Sequence, residues 1–433
     1  MRYSTDTRTI QPGDTYVAVR GEVYDGHTFI PQAVENGAAG VVIDRDVAVP
    51  DGVAVTRVDD SVAHLLAEAS ARLARTGASV VAITGSVGKT TTRGAIVAVL
   101  REAFPVVHPT GNLNTPLGLS LTLLNADFDG TAKLVLEMGA RLPGDIRELC
   151  DAFPPTVSVV TTVKGVHLET LGSLDGVERE KGTLVEALGT DGTAVLNADD
   201  PRVRRMADRT AGQVVLVGRA PDADLRPADV TAHLPILGDH AVLTALFATA
   251  VGQAFGMEAD AITRGLERIA PEKGRLVRLR GRGESTLVDD TYNASPDAVL
   301  AALDVLTKLD ATRRIALLGD MLELGPTEVD EHARVLRAAV QQADRVVAVG
   351  PLMAQAWDRL TEAEQDAVSV VASSDELAEA LREGRIVNVG AGDAVLVKGS
   401  QGTRMERVSE ALLHPDLDPA DVLPRQSAGW KPA

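Results

Sequence analysis

The strongest constraint on the fold is a short apolar run that leads directly into a glycine-containing loop and then into a helix. The run is Val80-Val81-Ala82-Ile83, and the loop that follows spans Thr84–Thr91 with the sequence TGSVGKTT. Residues 90–103 then show helical spacing, with Ile96, Val97 and Leu100 on one face. Backbone N–H groups and the positive end of the helix dipole meet in such a loop. This order of elements therefore predicts an α/β fold with an anion site.

The residues of this loop predict how a nucleoside triphosphate is held. Lys89 would reach the terminal phosphates, and the Thr90 hydroxyl would bind Mg²⁺. The usual loop has an additional glycine where this chain has Ile83, so the loop is a shorter variant. A glycine turn after a strand can be purely structural, but the complete strand, loop and helix favour binding of ATP or GTP. The nucleotide-binding residues predicted here are Gly85, Ser86, Val87, Gly88, Lys89, Thr90 and Thr91.

Strand-like and helical stretches alternate on both sides of the loop, and their arrangement predicts three domains. Residues 1–76 form a small α/β domain, and residues 77–274 form a central domain with a parallel sheet around the phosphate loop. Residues 275–433 form a doubly wound, Rossmann-like domain. The chain beyond Pro415 is rich in proline and aspartate, and we expect it to be a mobile end.

The strands expected in each domain are short runs rich in β-branched residues. In the first domain they lie at 16–19 and 41–43, with a helix over 61–75. In the central domain they lie at 80–83, 133–136, 157–160, 194–196 and 214–217. In the third domain they lie at 285–289, 314–318, 345–349, 368–372 and 394–398.

Composition excludes several classes of partner. The formal net charge of −18 disfavours nucleic acid and requires any nucleotide site to be locally positive or to carry a metal. Cys150 is the single cysteine, which excludes an internal disulfide framework and fits a reducing compartment. No apolar run approaches the roughly 18 residues that a membrane span needs. We therefore expect a soluble, cytoplasmic protein without membrane insertion, and we expect a monomer.

Further motifs give the chain a family resemblance that extends over most of its length. They are Asp6-Thr7-Arg8, Gly111-Asn112-Leu113-Asn114, Leu136-Glu137-Met138-Gly139-Ala140, Asp289–Pro296, Leu318–Gly325 and Val397-Lys398-Gly399-Ser400. With the TGSVGKTT loop, they resemble the Mur ligase family, and most closely its MurF branch. The resemblance implies an ATP-dependent, ADP-forming peptide ligase of peptidoglycan biosynthesis. It would join D-alanyl-D-alanine to UDP-N-acetylmuramoyl-tripeptide through an acyl phosphate, and its first domain would bind the UDP-sugar.

The same resemblance implies a catalytic centre with metal ions. Its catalytic residues would be Lys89, Glu137, His167 and Lys181, and its Mg²⁺ ligands would be Thr90, Glu137, His167 and a carbamylated Lys181. Glu137 also ends an apolar strand, where doubly wound sheets usually place their ligands. Without the resemblance, His167 would be interpreted as a packing residue and Lys181 as a solvated helix lysine.

The resemblance also implies contacts to the nucleotide and to the substrates outside the phosphate loop. Arg275, Asp290 and Asn293 of the third domain would contact ATP, which implies domain closure during the reaction. Thr7 and Arg8 would lie near the UDP-sugar, and Asp320 and Glu323 near the incoming dipeptide. Asn112 and Asn114 belong to the expected substrate side as well.

Three departures from the family pattern affect recognition of the substrate and of the adenine of ATP. The motif at Asp6 lies about twenty residues earlier than in related chains, so the first domain is expected to lack an opening helix and strand. Residues 114–118 read NTPLG and lack a carboxylate that the family carries, and residues 238–244 lack both amides that would contact adenine. The alternatives are therefore a Mur-fold amide ligase for another carboxylate and amine, or a non-catalytic nucleotide-binding relative. A small-molecule kinase would share the loop but would not explain the two flanking domains.

Overall fold

The computed structural model describes residues 2–21, 24–111, 113–165, 168–238, 240–427 and 430. The chain divides into two compact units. The first contains the residues up to His233 together with Val242–Ile269, and the second contains Leu234–Ala241 together with the chain from Ala270. Among the described helices, none combines the length and the apolar character that crossing a membrane requires.

The first unit begins with a four-stranded parallel sheet in the order β1-β2-β3-β4. The strands are β1 Tyr3–Ser4, β2 Thr15–Val17, β3 Gly40–Ile43 and β4 Ala54–Arg57, and the helices are α1 Ile30–Glu35 and α2 Ser61–Thr76. Helix α2 begins where the Asp60 carboxylate accepts hydrogen bonds from the N–H groups of Val62 and Ala63. It ends at Gly77, whose φ of 68° favours glycine.

A six-stranded parallel sheet follows in the same unit, in the order β10-β9-β8-β5-β7-β6. Its strands are β5 Ser79–Thr84, β6 Val106–Val107, β7 Lys133–Glu137, β8 Val157–Val160, β9 Thr193–Asn197 and β10 Gln213–Val217. Its helices are α3 Lys89–Leu100, α4 Pro116–Asn125, α5 Asp145–Ala152, α6 Leu168–Leu171, α7 Leu174–Glu186, α8 Pro201–Arg204, α9 His240–Ala254 and α10 Ala259–Glu267. Because every strand runs the same way, the carboxyl ends of β5, β7 and β8 meet at one edge.

The two sheets of this unit are joined by hydrogen bonds between the elements that cover them. The Arg72 guanidinium on α2 donates to the carbonyls of Leu124 and Ala126 at the end of α4, at 2.8 and 2.6 Å. Tyr3 on β1 exchanges two bonds of 2.8 Å with the Asn125 side-chain amide. The end of α4 thus has its carbonyls satisfied by the neighbouring small domain.

The second unit holds a six-stranded sheet in the order β11-β12-β16-β13-β14-β15, in which only β11 is antiparallel. The strands are β11 Val277–Arg280, β12 Thr286–Asp290, β13 Arg313–Gly319, β14 Arg345–Val349, β15 Val368–Val371 and β16 Asp393–Lys398. The helices are α11 Pro296–Lys308, α12 Glu328–Gln342, α13 Pro351–Trp357, α14 Glu362–Asp366, α15 Ser374–Arg382, α16 Glu406–Leu412 and α17 Pro419–Val422. Separate apolar clusters cover its two faces, one around Leu303 and Leu336 and the other around Leu377 and Val408.

The predicted fold class is confirmed, since all three sheets are those of a mixed α/β protein. Strand β11 was not predicted from the sequence, and it lies at an edge of its sheet. The domain boundaries at residues 76 and 274 stay predictions, because the first two sheets share one compact unit.

The prediction of a mobile tail beyond Pro415 is wrong for the described part of the tail. Asp418 caps helix α17, and Leu423 is only 1% exposed. The Arg425 side chain is 5% exposed and binds a carboxylate and two backbone carbonyls. Composition indicated a polar end of the chain, but one buried leucine and one buried arginine are enough to fix it to the domain.

Candidate functional site

The phosphate loop connects β5 to α3 at the carboxyl edge of the central sheet. Gly85 has a φ of 149°, and a Cβ at this position would lie 1.9 Å from the Thr161 hydroxyl oxygen. Gly88 has a φ of 90° and stands directly before the first residue of α3. Both glycines are therefore required by the backbone path. The first turn of α3 directs its N–H groups and the positive end of its dipole out of the helix end, as an anion site needs.

The loop after β8 fixes the conformation of the phosphate loop. Ser86 N donates to the Thr162 carbonyl at 2.9 Å, and Val87 N donates to the Thr162 hydroxyl at 3.2 Å. The Thr161 hydroxyl donates to the Val87 carbonyl at 2.6 Å. The Ser86 hydroxyl exchanges hydrogen bonds with the backbone of Lys164 at 3.1 and 2.8 Å. The sequence analysis missed Thr161 and Thr162 as supports of the loop.

Glu137 ends β7 beside the phosphate loop and is 2% exposed. In the register of the sheet it is paired with Ile83 of β5. The Thr90 hydroxyl donates to Glu137 Oε2 at 3.3 Å, so two of the predicted metal ligands are in contact. Glu137 Oε1 makes no aligned hydrogen bond with any described residue, although its carboxylate is buried.

Arg93, also missed by the sequence analysis, supplies the charge that balances Glu137. Its Nη1 atom lies 3.0 Å from Glu137 Oε1 and donates to the Gly111 carbonyl at 2.9 Å, and both side chains of the ion pair are nearly inaccessible. Arg93 stands one turn after Thr90 on α3, so the two residues share the face that meets Glu137. The i, i+3 spacing of Thr90 and Arg93 is visible in the sequence, but this spacing does not identify Glu137 as the partner of Arg93.

Lys89 and Lys181 bring two cations to this edge of the sheet. Lys89 Nζ donates to the Gly85 carbonyl at 2.6 Å. Lys181 lies on α7 and is 3% exposed. Burial, and secondarily the charge of Lys89, lower the pKa of Lys181 to about 7 from an ordinary 10.5. The structure therefore places a lysine with a readily neutralised amine near Lys89 of the phosphate loop, and the predicted role of Lys181 as a metal ligand stays a prediction.

The donors at this edge fit a hard divalent cation, which prefers oxygen ligands. The Thr90 hydroxyl and Glu137 Oε2 are two such oxygens in contact with each other, and a carbamate on Lys181 would add more. Within the described residues, no cluster of three His, Cys, Asp or Glu side chains forms a complete metal site by itself. The predicted ligand His167 and the predicted substrate residue Asn112 lie outside the described residues.

Asn114 is the predicted substrate residue that the structure brings closest to this centre. Its carbonyl accepts a hydrogen bond from Gly139 N at 3.2 Å, two residues beyond Glu137. A Cβ at Gly139 would lie 3.1 Å from the Asn114 side chain, so a larger residue there would have to displace that side chain by a few tenths of an ångström. Thr7 and Arg8 lie instead in a turn after β1, where Thr7 contacts Gln32 and Arg8 pairs with Asp6 on the surface.

In the second unit, Asp290 ends β12 and Asn293 follows it at the carboxyl edge of the sheet. Asp290 is buried, pairs with Lys398 Nζ at 2.6 Å and accepts from Leu276 N at 3.2 Å. Lys398 also donates to the Asn293 carbonyl at 2.9 Å, while the Asn293 side chain is exposed. The Arg275 guanidinium lies 4.2 Å from the centre of the Tyr292 ring. Of these predicted nucleotide residues, Asn293 has the more accessible side chain and Asp290 holds the segment in place.

Asp320 and Glu323 belong to the loop after β13, and their environments differ. Asp320 is buried and accepts from the N–H groups of Leu352 and Met353 at the start of α13. Burial raises the pKa of Asp320 even though these N–H groups favour its charged form. Glu323 is exposed and has a φ of 66°, a conformation that is strained for a residue with a side chain. Asp320 therefore anchors the loop, and Glu323 is the residue that it presents.

This loop has two further anchors. Met321 N donates to Nε2 of the fully buried His332 at 2.8 Å, and the other ring nitrogen lies 2.6 Å from the Glu328 carbonyl. Leu322 N donates to the Ser400 hydroxyl at 2.8 Å. The motifs at 318–325 and 397–400, which were separate in the sequence, thus form one structure at the sheet edge.

Comparison with protein families accounts for three consecutive regions of the chain. Residues 2–83 match the Mur ligase family catalytic domain, residues 83–252 match the Mur ligase middle domain, and residues 274–401 match the Mur ligase glutamate ligase domain.

The chain belongs to the Mur ligase family.

Individual relatives of this Mur ligase support the assignment over nearly its full length. It is 33% identical to the UDP-N-acetylmuramoyl-tripeptide–D-alanyl-D-alanine ligase of Bacillus subtilis, covering 96% of this chain and 93% of that protein. It is 30% identical to the Escherichia coli enzyme of the same name, covering 94% and 93%.

Solved structures agree with the sequence relatives. MurF from Acinetobacter baumannii aligns with a TM-score of 0.83 and 27% identity, covering 94% of this chain and 92% of that one. MurF from Thermotoga maritima in complex with ADP aligns with a TM-score of 0.81 and 28% identity, covering 95% and 96%. The resemblance predicted from the motifs is thereby confirmed.

Gly85→Ala is expected to abolish nucleotide binding, because the added methyl group would overlap the Thr161 hydroxyl oxygen. Gly94→Ala, on helix α3, is the matched control, because no obstructing atom lies within 4 Å of a Cβ added at Gly94. We expect the control to bind nucleotide normally and to be stabilised by up to about 1 kcal/mol. Calorimetric titration with ADP measures both variants. Normal binding by Gly85→Ala would contradict the loop geometry described here.

Arg93→Met is expected to destabilise the first unit by about 3–5 kcal/mol, because it leaves the Glu137 carboxylate buried without its cation. The double variant Arg93→Met with Glu137→Gln removes both charges and should lose less stability than the sum of the single variants. Chemical denaturation of the four proteins measures this coupling. Additive losses would show that the two side chains do not interact.

Proposed function

We propose that this Mur ligase joins D-alanyl-D-alanine to UDP-N-acetylmuramoyl-tripeptide and converts ATP to ADP and phosphate. The observation that carries the proposal is the convergence of the phosphate loop, Glu137 and Lys181 at one edge of the central sheet. The relatives named above carry this activity in their names, and the Thermotoga maritima structure contains ADP. These observations support ATP as the nucleotide and a peptide-bearing UDP-sugar as the first substrate.

In the proposed reaction, a peptide carboxylate oxygen attacks the γ-phosphorus of ATP, forms an acyl phosphate and releases ADP. The amine of the dipeptide then attacks the acyl carbon, loses a proton and expels inorganic phosphate. Lys89 would exchange its bond to the Gly85 carbonyl for the terminal phosphates, and the first turn of α3 would hold them. Mg²⁺ held by Thr90, Glu137, His167 and a modified Lys181 would offset the negative charge that these anions bring together.

Carbamylation of Lys181 is supported by the state of its amine. A neutral amine adds CO₂ to form a carbamate and releases one proton, whereas an ammonium group cannot. Since the pKa of Lys181 is lowered to about 7, most of this amine is neutral slightly above that pH. The same pKa shift determines how the free energy of unfolding depends on pH. Between about pH 7 and 10.5 the unfolded chain binds more protons at Lys181 than the folded chain does. The contribution of Lys181 to stability therefore rises with pH across that window.

Lys181→Ala is expected to lower ligase activity by about a hundredfold or more, with partial rescue by short carboxylic acids that replace the carbamate oxygens. In the unsubstituted enzyme, intact-protein mass spectrometry with bicarbonate should detect the added CO₂ at pH 8 and lose it at pH 6. Lys164→Ala, which changes an exposed lysine of the loop after β8, is a control for loss of a nearby positive charge. An unmodified Lys181 at pH 8, with no rescue of the alanine variant, would eliminate the carbamate.

The proposed activity is tested by coupled phosphate release with UDP-N-acetylmuramoyl-tripeptide, ATP and D-alanyl-D-alanine. We expect phosphate release to require all three substrates. Lys89→Ala should abolish it while leaving the thermal transition without ATP nearly unchanged. No turnover by the folded, nucleotide-binding protein would refute the proposal.

A second candidate function is ligation of a different carboxylate and amine by the same centre. It is favoured by residues 114–118, which lack a carboxylate that the family resemblance implies near the substrate, and by residues 238–244, which lack the adenine-contacting amides. Asn114 is in contact with Gly139, so a change in this stretch alters the immediate surroundings of Glu137. Turnover with a substituted peptide, combined with none on the tripeptide, would favour this function.

A further inference from the structure

Arg425, in the part of the chain whose composition predicted a mobile end, is bound to the segment that follows β12. Arg425 Nη1 donates to the Thr291 carbonyl at 3.0 Å, and Nη2 donates to the Tyr292 carbonyl. Its charge is balanced by Glu406, whose Oε2 atom lies 3.2 Å away and whose side chain is 2% exposed. A single buried guanidinium therefore satisfies two consecutive carbonyls of the segment that carries Asp290 and Asn293.

The same stretch of tail also holds the beginning of the second unit. Lys273 Nζ donates to the Ala420 carbonyl at 2.7 Å. Gly274 has a φ of 74°, and a Cβ at this position would lie 2.9 Å from the Pro424 ring and 3.0 Å from Tyr292 N. Tyr292 N in turn donates to the Gly274 carbonyl at 3.0 Å. The segment around Gly274 is thus confined by the tail and by Tyr292.

Two arginines lie against the one tyrosine ring at this point. The guanidinium carbon of Arg275 is 4.2 Å from the centre of the Tyr292 ring, and that of Arg425 is 5.2 Å from it. Because Arg425 also binds the Tyr292 carbonyl, it fixes both the backbone and the ring on which Arg275 rests.

We propose that the tail, residues Pro419–Gln426, is a brace that positions Arg275 for the nucleotide, with Arg425 as the positioning residue. This inference rests on the proposed function and on the contact between Arg275 and ATP that the family resemblance implies. A tail that served stability alone could attach anywhere on the domain. In this structure the buried Arg425 guanidinium donates to two carbonyls of a segment at the carboxyl edge of the sheet. Doubly wound domains bind their ligands at that edge.

The brace predicts a specific pattern of variants. Arg425→Met should reduce kcat for ligation on the order of tenfold to a hundredfold, as a misplaced catalytic-site group does. Arg425→Lys keeps a cation beside Glu406 but lacks the fork that binds two carbonyls, so it should be intermediate. Because Arg425 acts through Arg275, Arg275→Met combined with Arg425→Met should lose no more activity than Arg275→Met alone.

Arg280 provides a matched control, because it contacts a different part of the chain near its C-terminal region. Arg280 binds His414 and Asp416, which precede the tail, at 2.8 and 2.6 Å. Neither residue belongs to the segment after β12. Arg280→Met should therefore leave kcat unchanged. Its thermal transition corrects the other variants for a general loss of stability.

The experiment measures steady-state ligation and hydrogen–deuterium exchange of the peptide containing residues 290–293 in all five variants and the unsubstituted protein. We expect Arg425→Met to increase exchange there, at the Tyr292 amide in particular, and to lower kcat non-additively with Arg275→Met. Increased exchange with unchanged kcat, unchanged exchange, or additive losses would each overturn the brace. Failure of the unsubstituted protein to ligate would instead refute the proposed function, so the two failures are distinguishable.

Discussion

The hydrogen bonds between the phosphate loop and the loop after β8 are the interaction on which the candidate active site depends. A loop with two glycines has a high conformational entropy, and it needs external partners to adopt one path. Thr161 and Thr162 supply these partners at Ser86 and Val87, and the parallel register of β5 and β8 brings the two loops to the same edge. Once the loop is fixed, the start of α3 is fixed, and Thr90 and Arg93 then meet Glu137.

The electrostatics of this edge oppose those of the whole protein. The chain carries a formal charge of −18, yet this edge holds Lys89, Lys181 and Arg93, and Arg93 pairs with the buried carboxylate of Glu137. A locally positive site is what an acidic protein requires in order to bind a nucleotide. Burial of Lys181 adds a second effect, because it favours the neutral amine, the form that the proposed carbamylation requires. The edge thus combines cationic side chains with the oxygen atoms of Thr90 and Glu137.

The sequence predicted the features that are local along the chain and missed those that depend on distant partners. The strand, glycine loop and helix at residues 80–103 are contiguous, so their type and order could be predicted. The role of Glu137 and Lys181 depended on family resemblance, because a strand-end acid and a helix lysine have no distinctive pattern of their own. The ion pair of Arg93 with Glu137 joins different elements through sheet topology, and no local pattern encodes it.

The tail was predicted incorrectly because its average composition is polar, whereas two individual residues, Leu423 and Arg425, are buried against the domain.

The phosphate loop and Glu137 are proposed to support formation of an acyl phosphate, and this is the central claim. Its most direct test is ligation of a UDP-sugar peptide whose reacting carboxylate carries a heavy isotope at both of its oxygens. Mass analysis of the released phosphate should find one labelled oxygen for each amide formed, because the attacking oxygen leaves with phosphorus. Unlabelled phosphate alongside normal amide formation would contradict the claim.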